Sequence, residues 1–211
     1  MHLYRFLGTV VLVFVLLVVS ELYWRKRQPH SELSRKFIHI TVGSFVAFWP
    51  FFLSWGQIQL LSIAFLIVIT ISKKLHIFQA IHSVQRPTWG ELFFAAAVGL
   101  TTLITHDKYL FAAALLQMSL ADGLAAVVGT RYGRKNRYTI GGHAKSVTGS
   151  ATFVIISLII LGGYGLLAGV TLQPLVLLTT ALATAALENL GLYGLDNLLV
   201  PLFVAVALRA Y

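Results

Sequence analysis

The sequence predicts an all-α, polytopic membrane bundle of about eight transmembrane helices, and three observations predict it. Apolar residues make up 58% of the chain and charged residues only 11%, against roughly 25% charge in soluble domains, and the mean hydropathy is +0.83. Apolar runs close to bilayer-crossing length recur from end to end. Lysine and arginine gather in alternate connections instead of scattering. With 211 residues there is room for one bundle, so 1–211 is read as a single integral membrane domain with short loops. The chain has no cysteine, which excludes disulfide and thiolate chemistry.

The first run, "FLGTVVLVFVLLVVSELYW", is longer than the hydrophobic region of a signal peptide. It ends in Arg25, Lys26 and Arg27 without a small-residue cleavage site, so it is read as a retained span. Further runs follow near residues 37–55, 57–72, 91–106, 108–130, 147–168, 171–189 and 195–210, after the first at 4–24. The third and fourth are short, which leaves seven spans or a re-entrant segment open. Pro50, Gly56, Pro87, Gly162, Gly163, Pro174, Gly191 and Gly194 punctuate the joins, as residues that break or end helices do.

In the eight-span reading, thirteen of the sixteen lysines and arginines fall on one side. They sit in a first loop with Arg25, Lys26, Arg27, Arg35 and Lys36, a second with Lys73, Lys74 and Arg86, and a third with Arg131, Arg134, Lys135, Arg137 and Lys145. The other side holds Arg5, Lys108 and Arg209. The positive-inside rule then puts both termini outside and the basic loops in the cytoplasm. The formal charge of +9 is thereby a cytoplasmic rim attractive to anionic lipid headgroups and to phosphate. No soluble domain presents it to a nucleic acid, so a nucleic-acid partner is not expected.

Asp122, Glu188 and Asp196 lie within or at the ends of spans, and Glu91 stands at the edge of the fourth run. A bare carboxylate in hydrocarbon costs about 2.5–3.5 kcal/mol even on a lenient scale, so such acids are paired, metal-bound or turned to a polar cavity. Asp122 sits roughly two turns from the cytoplasmic end of span five at about 1.5 Å per residue. Glu188 ends span seven and Asp196 begins span eight on that same side. Three carboxylates beside lysines and arginines suit a triphosphate with a divalent cation. The intervening glycine-rich loop would let backbone N–H groups approach phosphate oxygens. There is no G-x-x-x-x-G-K-[ST] P-loop, no H-E-x-x-H and no G-x-S-x-G, so P-loop, zinc-hydrolase and acyl-enzyme chemistry find no support.

The segments "ELSRKFIHITVG", "RPTWGEL", "DGLAAVVGTRYG", "GGHAKSVTGS" and "ENLGLYGLDNLLVPL", in this order, resemble the membrane-bound CTP-dependent lipid kinases. That group includes the phytol, farnesol and dolichol kinases and yeast-type diacylglycerol kinase; more distantly the chain looks like phosphatidate cytidylyltransferases. The resemblance matches Asp122 to the aspartate of a D-x-x-A-x-x-x-G segment, and Gly129, Arg131 and Gly133 to its glycine-basic turn. It matches Lys145 and Ser146 to a Lys-Ser pair, Glu188, Asp196 and Asn197 to a late acidic element, and Arg35, Lys36 and His39 to an early R-K-x-x-H. One position departs: relatives read Lys-Ser-x-Glu-Gly-Ser where this chain has "KSVTGS", with Thr148 for glutamate.

The resemblance implies phosphoryl transfer from CTP, with UTP or ATP left open, to the hydroxyl of a membrane lipid alcohol such as phytol, farnesol or a polyprenol. It implies Mg²⁺ ligands at Asp122 and Asp196, with Glu188 as a third ligand or as the base orienting the hydroxyl. Lys145, Arg131 and Lys135 would neutralise phosphate charge, and Asn197 would position an oxygen or a coordinated water. The cytidylyltransferase resemblance implies the alternative of nucleotidyl transfer to a lipid phosphate. An ion-coupled transporter is a third reading, weakened because the polar residues gather at one face without an internal repeat. Small-residue stretches such as "FFAAAVG" and "ALATAA" would permit close helix contacts and a homo-oligomer.

Overall fold

The structure, a computed structural model, describes residues 3–27, 32–75 and 89–211, with side chains described over 4–19, 36–72 and 89–211. The side chains of Arg35, Lys73, Lys74 and His82, and Arg86 with Pro87 from the "RPTWGEL" segment, lie outside the described residues. The helices are α1 (Leu3–Arg27), α2 (Glu32–Ala47), α3 (Trp55–Leu75), α4 (Gly90–Ile104), α5 (Lys108–Leu116), α6 (Asp122–Tyr132), α7 (Val147–Ala168), α8 (Pro174–Leu190) and α9 (Asp196–Leu208). A π turn, Gln117–Ala121, joins α5 to α6 in one rod, so the described residues form eight rods. Lys108–Tyr132, Trp55–Ser72 and Val147–Ala168 are long and apolar enough to cross a membrane, and four shorter apolar helices accompany them. The chain is an all-α membrane protein.

Local chemistry sets the boundaries. The Asp107 side chain accepts the Leu110 N–H at 2.8 Å and caps α5, satisfying a donor that the first helical turn leaves unpaired. Ser146 caps α7 by accepting the Gly149 N–H at 3.1 Å. Pro174 opens α8, where its missing N–H costs nothing. The predicted second span, 37–55, is shorter than expected at its end and longer at its start. Pro50 sits in a 3₁₀ turn (Trp49–Phe51) that closes α2, and α2 begins at Glu32, so Lys36 lies inside a helix and not in a loop.

The α5–α6 rod forms the centre: 67% of its span is buried inside the protein, against 22% for α3 and for α7. It packs against α2, α7 and α9, while α8 closes on α7 and α9, α3 packs on α4, and α1 rests on α2. Among the approaches close enough to demand glycine, two seat the central rod. A Cβ on Gly129 would lie 2.8 Å from Ser146 Oγ and 3.1 Å from Gly149 Cα, so α6 and α7 meet backbone to backbone. A Cβ on Gly43 would collide with the Ser119 side chain of the π turn, so α2 lies directly on it.

The stretch between α6 and α7, predicted as an irregular glycine-rich loop, contains an antiparallel hairpin of β1 (Arg137–Ile140) and β2 (His143–Ser146). Gly141 and Gly142 turn it at φ +54° and +79°, the two positive values that a two-residue hairpin loop requires. Gly129→Ala is expected to lower thermal stability by the about 1–3 kcal/mol typical of overpacking. Gly162→Ala, where an added methyl meets nothing within 4 Å, is expected to be neutral or stabilising. Thermal unfolding of both variants in one detergent checks the contrast.

Candidate active site

The site is assembled from α2, the α5–α6 rod, the hairpin and the α8–α9 joint. On α2, Lys36, His39 with Ile40, and Gly43 follow the three-and-four spacing that places residues along one helix face, and that face lies on the π turn and the start of α6. There Lys36 Nζ donates to Asp122 Oδ1 at 2.7 Å and Oδ2 at 2.5 Å. Both side chains are buried, at 8% and 6% exposure. Sequence reasoning placed Lys36 in the cytoplasmic loop; the structure moves it into the bundle, because a buried carboxylate needs a counter-charge and α2 supplies it.

The π turn contributes directly. An α-helix would bond the Asp122 N–H to the Met118 carbonyl, but here it bonds to Gln117 and Ser119 carbonyls. His39 Nε2 takes the Met118 carbonyl instead, at 2.9 Å. A carbonyl accepts, so this nitrogen carries the proton, and it lies 3.8 Å from Asp122 Oδ2. Gly123, the next residue, has no room for a Cβ beside Ile40, which holds α2 against Asp122.

A second pair lies beside the first. Lys145 Nζ donates to Glu188 Oε1 and, at 3.2 Å, to the Glu188 carbonyl. The strand pairing sets Tyr138 opposite Lys145, on the same face of the hairpin. The Tyr138 hydroxyl donates to Asn189 Oδ1 at 2.6 Å and meets Ser150 Oγ at 2.5 Å, fastening the hairpin to α8 and α7. Burial opposes the charge on Lys145, but Glu188, with its hydrogen bond, and then Asp122 and Asp196 outweigh it and raise the ammonium above its ordinary value. Lys145 thus stands among all three acids that the sequence singled out.

Asp196 opens α9 beyond a tight joint. Tyr193 is left-handed at φ 56°, an uncommon state for a residue with a Cβ, and a Cβ on Gly191 would strike the Asp196 backbone and side chain. The joint is tied to α4, with the Trp89 N–H donating to the Tyr193 carbonyl and Asn197 Nδ2 donating to the Gly90 carbonyl, both at 3.0 Å. Asn197 is therefore occupied in placing α9. The Asp196 carboxylate makes no hydrogen bond or ion pair among the described residues.

The remaining sequence-predicted residues are placed elsewhere. Gly129, Gly133 and Ser146 meet one another in the α6–α7 crossing. Arg131 is exposed, its guanidinium 5.5 Å over the Tyr132 ring, and Lys135 is exposed on the hairpin approach. Asp122 lies ten residues from the end of α6, about 15 Å and nearer three turns than two. Thr148 Oγ1 accepts from Asn136 Nδ2 at 2.7 Å, and Lys145 is held by Glu188. The Tyr138–Ser150–Asn189 link was not foreseen, although two four-residue runs around Gly-Gly are a hairpin signal.

Three carboxylates and two lysines make an oxygen-rich site at the end of the bundle that carries the basic loops. Among the described residues no three His, Asp or Glu side chains form a ready-made cation cage. Hard-oxygen carboxylates nevertheless fit Mg²⁺, which is typically held by one or two of them together with phosphate oxygens of a ligand. The fold and the relative that the chain matches define a membrane-embedded phosphotransferase. The chain is 37% identical to a phytol kinase from Synechocystis sp. over 205 residues, covering 93% of this chain and 84% of that protein. The chain belongs to the phytol kinase family of membrane lipid kinases. No family model and no solved structure matches it.

Removing one member of the buried pair, in Lys36→Met or Asp122→Asn, is expected to cost about 3–5 kcal/mol, because the partner loses its compensation. The double variant is expected to regain much of that loss. Thermal unfolding of the four proteins measures the coupling, and additive losses would show that the two side chains act independently.

Proposed function

We propose that the chain transfers the γ-phosphoryl group of a nucleoside triphosphate, CTP in the first instance, to the hydroxyl of an isoprenoid alcohol lying in the bilayer. The observation that carries this reading is the pairing of Lys36 with Asp122 and Lys145 with Glu188 around a third acid, in a chain whose relative is named for phytol phosphorylation.

In this mechanism the hydroxyl oxygen bonds to the γ-phosphorus as the bond from that phosphorus to the β–γ bridging oxygen breaks. The nucleoside diphosphate leaves, and the hydroxyl proton passes to Glu188. Lys145 and Lys36, each held by a carboxylate, are ammonium groups that can turn to phosphate oxygens as negative charge arrives. The exposed Arg131 and Lys135 gather the nucleotide at the rim. Asp122 and Asp196 would hold Mg²⁺, which when bound neutralises phosphate charge. The protein supplies placement and electrostatics, which phosphoryl transfer chiefly needs. The excess of basic loops at this end supports a cytoplasmic site, with both termini on the opposite side.

The test is incubation of the purified protein in lipid nanodiscs with each of CTP, UTP, ATP and GTP, Mg²⁺, and phytol, farnesol or a polyprenol, followed by mass spectrometry of the lipids. An alcohol monophosphate that disappears with EDTA is expected. Asp122→Asn is expected to reduce turnover by about 10²–10³-fold or more, as removal of a charge-stabilising group does. CTP labelled separately at the α and γ positions discriminates the reactions: label reaching lipid only from the α position overturns the kinase reading.

A further inference from the structure

A small cleft of about 70 Å³ lies between α1, α2, α3, α4 and α9. Its two sides differ. Leu17 of α1 with Phe65 and Ile69 of α3 make the outer side entirely apolar. The inner side carries His39, Glu91 and Asn197. Asn197 is bonded to the residue preceding Glu91, at the Gly90 carbonyl, and His39 meets Phe94 edge to face at 5.6 Å. The inner side is continuous with the acid–lysine site, because the same His39 ring that lines the cleft lies 3.8 Å from Asp122.

The outer side is the seam between α1 and α3, next to the exposed face of α3. Among the described residues α1 packs on α2 and α3 packs on α4, without comparable packing of α1 on α3. Ile63, Ile67 and Val68 of α3 are at least half exposed. A ligand bridging the two sides therefore has a polar end and an apolar body. Along α2 the cleft runs only from Ile38 to Gly43, roughly 8 Å at about 1.5 Å per residue. That height is too short for a whole extended diterpenoid chain.

We propose that this cleft seats the hydroxyl-bearing end of the isoprenoid alcohol, with the hydroxyl at the His39–Glu91–Asn197 side, and that the tail leaves through the α1–α3 seam into the bilayer. The inference rests on the kinase reading for its ligand class. It makes the first isoprene units, which touch Phe65, Ile69 and Val42, the determinants of acceptor choice. Tail length beyond them is read by lipid alone.

Two phytol analogues test it, one with a diazirine close to the hydroxyl and one with a diazirine at the tail end, each photolysed with the full-length protein in nanodiscs. The first is expected to label residues in 38–43, 65–69 or 90–94, suppressed by excess phytol. The second is expected to label the exposed faces of α1 and α3. Phe65→Ala is expected to raise KM for phytol roughly tenfold, the loss from removing one buried aromatic contact, with KM for the nucleotide unchanged. Hydroxyl-end labelling spread over the lipid-facing residues of α7 and α8 without competition overturns the cleft, as does an unchanged phytol KM in Phe65→Ala. Competed labelling of the cleft without phosphate transfer from any nucleotide overturns the kinase reading and leaves the cleft standing. Transfer without cleft labelling does the reverse.

Discussion

The ion pair between Lys36 and Asp122 is the constraint on which the rest of the bundle depends. A carboxylate ten residues deep in the central rod is tolerable in hydrocarbon only if an opposite charge meets it at contact distance. That requirement fixes where α2 must lie. Gly43 against Ser119 and Gly123 against Ile40 are the places where two helices had to lose side-chain volume for a lysine from one to reach an aspartate on the other. The pair therefore imposes a local geometry that apolar packing alone would not select, since apolar surfaces in lipid gain little by choosing one neighbour over another.

Around that pair the other parts arrange themselves by similar compensation. The π turn releases a carbonyl, which His39 takes up. The hairpin brings Lys145 down on Glu188, and Tyr138 anchors the hairpin to α7 and α8 through Ser150 and Asn189. The α8–α9 joint carries Asp196 close to both pairs and is itself bonded to the start of α4. Four separate stretches of chain thus converge on one patch, and many of the hydrogen bonds that bring them together are made by residues outside the acid set.

What could be read from the sequence and what could not divide along physical lines. Span positions were legible because hydrophobicity sums over some twenty residues and is insensitive to detail. The three acids were legible because charge in an apolar run is costly wherever it falls. Lys36 was misread as a loop residue for the complementary reason: its positive charge fitted the basic rim, and only the position of Asp122 in space shows that it belongs inside. Gly129 and Gly133 looked like phosphate-loop glycines, yet their lack of a Cβ serves a helix crossing. A composition rule cannot separate these uses, because both exploit the same absence of a side chain. The π turn left no mark in "QMSLAD", since its hydrogen bonds follow from packing against α2 and not from propensity.

The π turn has a consequence for how the site tolerates change in chain length. A π turn amounts to an α-helix with one residue inserted, and each residue of an α-helix turns about 100° around the axis. Losing a single residue between Gln117 and Ala121 would restore an unbroken helix with better hydrogen bonds. It would also rotate the N-terminal and C-terminal halves of the rod relative to each other by about a quarter-turn. With Phe111 and Leu115 still seated in the core, Asp122 would then face away from α2, and the Met118 carbonyl would return to the helix and release His39. The site is registered by angle, and the most regular version of its central helix is one that cannot assemble it.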